Sequence, residues 1–526
     1  MAKAPDYVIV GAGINSLVCA ALLGKAGKRV LVLEREPQAG GCMKTGEITA
    51  PCYVHDVLAT TFVLFITSPA FAALGEDLAR HGLDFCHTPH PTAVVLPDGR
   101  SFVLTTDRAA NIAALDGLVK GEGERFRTEV ETVERDAELV FGLLGGALWS
   151  WGTLKLLFRE VRRRGLRGLA ARLGEGLRPG RGWLETRFQS DVTQALFAPW
   201  VLHAGLGPES AFSGEMARVI AFALEAAGAP IVKGGAQNAV TAFEGLIREY
   251  GGEVRTGADV AEVVVTHGRA TGVKLASGET IEAGQGVICS VTPNQLYGKL
   301  VTSADVPATT KDAVSVYRYG KGNMQMHYAL KSPPKWKSPG LEQVALTHLT
   351  PGLDGVSKAV NEAERGMLPE TPTICVGQPH ALDPSRCPDG AGILWIQLPE
   401  CPRHIKGDAA GTIAIPADGA WSEAVREAYA DRVEAILRDH IEDFDANVIA
   451  RKAISPADLE AMNINLVGGD PYGGSCVVDQ FFIWRPFADT VNHTTPIKDL
   501  YQIGASTHPG PGLGGGSGFA LAGRLS

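Results

Sequence analysis

Apolar residues mark the chain with two different periods. Tyr7-Val8-Ile9-Val10 is a short β-rich run and predicts a buried strand. Leu17 to Ala26 carries a helical pattern that Gly27 ends, and Arg29 to Leu33 predicts a second strand. A helix over 237–250 stops at Gly251-Gly252, and Val254 to Val265 then alternates as a strand. Two short strands follow at 270–275 and 280–283, joined by the turn Ser277-Gly278, and Gly286 to Cys289 is a further buried strand. Gly322 to Leu330 alternates apolar and polar positions, and 421–440 is an amphipathic helix. Residues 105–228 between these blocks read as mostly helical, and Asp499 to Ile503 is a last strand before a final helix that starts at Phe519.

The first strand, helix and second strand form a βαβ unit. Gly11-Ala12-Gly13 lies in its first turn, where Gly11 permits a tight bend and Gly13 lets backbone approach a pyrophosphate at a helix N-terminus. Ile14 and Asn15 follow, and Ser16 stands at the third glycine position of GxGxxG. Glu34 ends the second strand, 23 residues after Gly11, where an acid accepts hydrogen bonds from a ribose hydroxyl; Arg35 adjoins it. Gly40-Gly41-Cys42 comes next. A glycine pair there brings the chain close over a diphosphate and shifts the expected dinucleotide from NAD towards FAD. Val260 is a candidate for backbone contact with adenine, or else only a buried strand residue.

From Gly504 to Gly518, seven of fifteen residues are glycine, and an apolar helix begins directly afterwards. Small residues such as Gly504, Ala505, Gly512 and Gly516, with Leu513 among them, let backbone pass against a flat ring system. The new helix N-terminus favours negative charge gathering on a reduced ring.

With VIVGAGINSL at 8–17, Glu34 with GGCMKT at 40–45, VDQFFIWRP at 478–486 and LYQIGASTHPGPGLGGGSG at 500–518, the sequence resembles the phytoene-desaturase-like branch of FAD-dependent oxidoreductases. Ser16 and the pair Gly514-Gly515 depart from the common pattern. The resemblance implies an α/β fold: a glutathione-reductase-type, Rossmann-like FAD-binding domain with an α+β substrate domain built on an antiparallel sheet and a helical insertion. The expected segments are 1–75, 229–296 and 495–526 for FAD, 76–104 and 297–494 for substrate, and 105–228 for a helical lid or membrane-associating region. It further implies noncovalent FAD and removal of a hydride and a proton from a hydrophobic small molecule, with dioxygen or a quinone as electron acceptor. Proton acceptors are few: His508 in the glycine-rich loop and His327 on the alternating strand, with Asp479 and Arg485 nearby. Amine oxidation is the alternative, since Phe481, Phe482 and Trp484 could supply an aromatic pair. A flavin-binding isomerase or scaffold is a third reading.

The 526 residues allow two to four domains at roughly 150 residues each. A net charge of −9 argues against general nucleic-acid binding. Nine scattered cysteines form no CxxC pair and no metal-ligand spacing, which predicts reduced thiols, no metal site and a cytoplasmic protein, with no signal peptide and no spanning helix. Leu139 to Leu154 is uncharged, contains Trp149 and Trp151, and runs into Lys155, Arg159, Arg162, Arg163, Arg164, Arg167 and Arg172. That composition suits an interfacial segment at the inner face of a membrane, or a lid with solvated arginines. Oligomeric state is open, and a homo-oligomer fits as well as a monomer.

Overall fold

The computed structural model describes residues 4–301 and 306–526. Four separate stretches of chain meet in one five-stranded parallel sheet, ordered Leu500–Gln502, Gly286–Cys289, Tyr7–Val10, Val30–Leu33 and Glu253–Arg255. Tyr7–Val10 is central and buried on both faces, which its unbroken apolar run requires. Helix Ile14–Lys25 packs on one face together with helix Ala236–Glu249 and the last helix, Gly516–Leu525. A three-stranded antiparallel meander, Val260–Thr266, Arg269–Leu275 and Thr280–Glu282, covers part of the other face. The stretch expected as one strand over 254–265 is therefore two, because Gly257 takes a left-handed φ of +63° and turns the chain from one sheet to the next.

A second, seven-stranded sheet has the order Val448–Ile454, Gly322–Leu330, Gly392–Cys401, Ile374–Gly377, Leu346–Leu349, Thr92–Val95 and Ser101–Leu104. All its neighbours are antiparallel except Leu346–Leu349 with Thr92–Val95. The apolar side of Gly322–Leu330 (Met324, Met326, Tyr328, Leu330) packs under helix Glu423–His440 through Val425, Tyr429, Val433 and Leu437. Its polar side (Asn323, Gln325, His327) is buried as well, so the alternation does not mark a solvent face. Helices between Arg108 and Ala227 pack against the outer strands of this sheet.

The uncharged run splits at its glycines. Helix Ala137–Gly145 ends at Gly146, and a second helix begins at Trp151, N-capped by Ser150, and bends at Gly165. The hairpin presents Trp151, Leu154, Phe158 and Leu166 to solvent, with Trp151 77% exposed. Its arginines are only partly free. Arg163, Arg164 and Arg172 bind the buried carboxylate of Asp136, and Arg172 also binds Glu215, so part of the basic run holds the helical layer together.

Candidate active site

A cavity of about 660 Å³ runs from the carboxyl ends of the parallel strands to the polar face of the seven-stranded sheet. At its first end, Gly11 turns the chain at a φ of +87°, with the Ser290 carbonyl 3.2 Å from where its Cβ would stand. Gly13 precedes the first helix, and no side chain caps that helix, so its N–H groups remain for an anion. A Cβ on Gly13 would meet no protein atom within 4 Å and would stand in the cavity it lines. A Cβ on Gly41 would stand 3.2 Å from the Gly13 Cα. Gly40 is closed in by its own chain: a Cβ there would stand 2.6 Å from Met43 O and 2.8 Å from Val240 Cγ2. The glycine pair is thus required by packing within the protein as well as by the open cradle.

Glu34 is 8% exposed and shapes its own loop: Oε2 accepts from the Ala12 N–H at 2.8 Å and Oε1 from the Glu36 N–H at 3.0 Å. Each oxygen keeps a further lone pair for a sugar hydroxyl. Ile14, Asn15, Arg35, Cys42 and Val260 also line the cavity. The C-terminal loop joins them through Gly504, Ala505, Gly512 and Leu513. A hydrogen-bond chain fixes that loop: the Gly504 N–H donates to Ser517 Oγ at 2.9 Å, and Ser517 donates to Asn15 Oδ1 at 2.8 Å. Ser16 and Gly516 stand behind the wall, Ser16 fully buried and Gly516 against Pro509.

At the other end the walls are Trp200, His203, Asn323, Gln325, Leu346, Trp395, Gln397 and Tyr472. His203 and His348 share one hydrogen bond between their Nε2 atoms at 2.9 Å. Burial pushes His203 down to about 4 and His348 well below its ordinary value, so both rings are neutral. Cys375 opposes His348 across the sheet, and the three ligating atoms lie within 4.8 Å of one another. The set could take a soft cation only by giving up the His–His hydrogen bond and a thiol proton that burial holds on. The sequence reading missed this cluster because positions 203, 348 and 375 share no spacing motif; the sheet register brings two of them together.

Neither histidine singled out from the sequence lines the cavity. His327 turns from the sheet to donate through Nε2 to Val57 O at 3.2 Å, and its ring packs edge-on against His55. His508 donates through Nε2 to Gly146 O at 2.9 Å, which latches the glycine-rich loop to the turn before helix Trp151–Gly176. Burial pushes His327 down to about 3 and His508 to about 4. Asp479 is exposed and paired with Arg318. Arg485 is buried and donates to the carbonyls of Tyr472, Ser475 and Ala505 at 2.6 to 3.0 Å, holding two loops behind the cavity. Phe481 packs beneath that guanidinium and against Phe482, and Trp484 points outward, so none of the three faces the cavity.

Residues 9–78 match the family described as NAD(P)-binding Rossmann-like domain. Over 98% of its length the chain is 26% identical to mouse (Mus musculus) pyridine nucleotide-disulfide oxidoreductase domain-containing protein 2, covering 92% of that protein. It is 24% identical to one of the subunits of limonene dehydrogenase from Castellaniella defragrans, over 99% of this chain and 94% of that one. It is 25% identical to the lycopene-forming phytoene desaturase of a Paracoccus species, over 99% and 96%. Along nearly its whole length the chain is thus similar to phytoene desaturases and related oxidoreductases. The fold of this oxidoreductase is shared with putrescine oxidase solved with putrescine bound, at a TM-score of 0.60 and 14% identity over 99% of this chain and 98% of that one.

Proposed function

We propose that this oxidoreductase binds FAD noncovalently and dehydrogenates a hydrophobic small molecule, with dioxygen or a quinone taking the electrons. One observation carries the reading: the open cradle at Gly13 and the aromatic, sheet-floored chamber at Trp200 and Trp395 belong to one continuous cavity. The residues fit the cofactor. The uncapped helix N-terminus and Gly41 would hold the diphosphate, Glu34 a ribose, and Gly504 to Leu513 would pass beside the ring. FAD bound there would supply the hydride acceptor.

The protein's own part is orientation and exclusion of water. Among the described residues, every charged side chain lining the cavity (Glu34, Arg35, Glu36, Lys44, Asp259, Lys299) comes from segments around the parallel sheet, and none comes from the seven-stranded sheet. A cationic amine would find no carboxylate among the described residues of the chamber, which favours oxidation of a carbon–carbon bond over amine oxidation. Neutral His203 is the basic group at the chamber wall, with His348 behind it to share a proton. Purified protein is expected to be yellow and to release FAD, distinguishable from FMN by chromatography, on denaturation. Anaerobic mixing with candidate hydrophobic small molecules should bleach it; protein that carries no flavin after reconstitution would overturn the reading.

Among the described residues no helix is long and apolar enough to cross a membrane. The exposed face of Trp151, Leu154, Phe158 and Leu166 supports a peripheral membrane contact for this protein.

A further inference from the structure

The chamber's floor is unusually polar for a site that takes apolar molecules. Gln325 and Gln397 are direct cross-strand neighbours, and Asn323 lies two residues before Gln325 on the same face. All three line the cavity. Asn323 is 1% exposed and Gln325 4% exposed. The Oδ1 of Asn323 and the Oε1 of Gln325 have no hydrogen-bond partner among the described residues. The Tyr472 hydroxyl stands beside Asn323 but gives its proton to Leu202 O at 2.6 Å, so it cannot satisfy the Asn323 oxygen. Burying a carboxamide without a partner is costly, and native interiors rarely do so unless a ligand or water completes the site. The other buried amide in this sheet layer, Gln378, is satisfied by Trp336, Leu341 and Val344.

We propose that the substrate, on the reading of the site given above, carries a neutral group that both donates and accepts hydrogen bonds, a hydroxyl or a carboxamide, and that Asn323, Gln325 and Gln397 seat it. Both roles are needed because the row presents unpartnered carbonyl oxygens that accept, and each carboxamide also carries an NH2 that donates. A carboxylate would be buried beside the unpartnered oxygens of Asn323 and Gln325 with no cation to offset its charge. An ammonium would meet no carboxylate. A pure hydrocarbon would leave the row as unsatisfied as it stands. The remainder of the chamber, Trp200, Leu346 and Trp395, takes an apolar skeleton.

The test uses flavin-loaded protein and five probes on one skeleton: cyclohexanol, cyclohexanecarboxamide, methylcyclohexane, cyclohexylamine and cyclohexanecarboxylate. Binding is read from the flavin absorbance and the melting temperature. Cyclohexanol or cyclohexanecarboxamide should act at a concentration roughly tenfold lower than the other three, and their mutual order says which of the two groups is seated. In Asn323→Leu/Gln325→Leu that preference should vanish while flavin content stays at the parent level. The same variant should melt higher than the parent without probe, because it removes unpartnered buried amide oxygens and gives up at most the contact of Asn323 with the Tyr472 hydroxyl. Equal or tighter binding of the hydrocarbon or a charged probe overturns the proposal, as does no response to any probe at saturation, or a variant that melts lower. Loss of flavin from the variant alone would assign the row to the cofactor and overturn the proposal too. Absence of flavin from the parent would instead fail the underlying dinucleotide reading.

Discussion

Gly13 lacks a Cβ, and the space where one would stand is the cavity itself. Gly13→Val should therefore leave the fold intact and remove the dinucleotide; flavin absorbance measured beside circular dichroism would show colourless, folded protein. Gly40→Ala should behave differently, because Met43 O and Val240 already fill that position, so the variant should lose stability first. Glu34→Ala should weaken FAD by about 1–3 kcal/mol in a flavin titration, the cost of a lost charge-assisted hydrogen bond. Unchanged affinity would show that Glu34 serves only its own loop through Ala12 and Glu36. The places of these residues along the cavity were legible in the sequence because each depends on local spacing: a glycine in a turn, an acid at a strand end. The roles of His508, His327 and Arg485 were not. Each is set by what the ring or guanidinium meets across the fold, Gly146, Val57 and Ala505 respectively, and no local pattern encodes those meetings.

Secondary structure was legible wherever a period was clean, as in Tyr7–Val10 and Glu423–His440. The strand Gly322–Leu330 shows where a period misleads. Its alternation is real, but both faces are buried, one under a helix and one against the cavity and the loop at Val57. A sequence cannot say that the polar side of a strand faces a chamber rather than water. The helix Trp151–Gly176 shows the same for charge. Among its basic residues, Lys155, Arg162 and Arg167 are exposed and face outward with Trp151, Leu154 and Phe158, while Arg164 and Arg172 bind buried acids. Lys155→Glu/Arg162→Glu/Arg167→Glu should abolish flotation with anionic vesicles without changing the melting temperature, and parent binding should fall with salt. Arg164→Glu/Arg172→Glu should instead lower the melting temperature, since two cations leave the Asp136 carboxylate together. Parent protein that fails to float at low salt would leave the exposed stripe as part of a lid.

Across the whole molecule, burial keeps histidines neutral. His55, His203, His380, His493 and His508 are each pushed down to about 4, and His327 to about 3. In the unfolded chain these rings take up protons below about 6.5, while the folded protein resists until near 4. Stability held above pH 6.5 should thus fall steeply towards pH 4, by up to about 2 kcal/mol for each ring at pH 5. Glu400, pushed up to about 8, acts in the opposite direction, as do Asp470 and Glu244, which burial also pushes up, but these are fewer than the histidines. Melting temperatures between pH 7.5 and 5 would check the sign, and a rise on acidification would refute it. The second GxGxxG spacing, at Gly510, Gly512 and Gly515, opens no dinucleotide unit of its own. It leads into helix Gly516–Leu525, which packs on helix Ile14–Lys25 and so completes the first unit. NADPH should therefore not bleach the flavin at turnover speed under anaerobic mixing. The bond from Ser517 to Asn15 spans 502 positions and closes the cavity wall between them. During synthesis on the ribosome, the cradle around Gly13 emerges hundreds of residues before the loop that must lie over the ring. On the proposed reading, cofactor loading is consequently a late event in the life of each molecule: it must await the far glycine-rich loop, and until then the nascent chain holds a cradle without its cover.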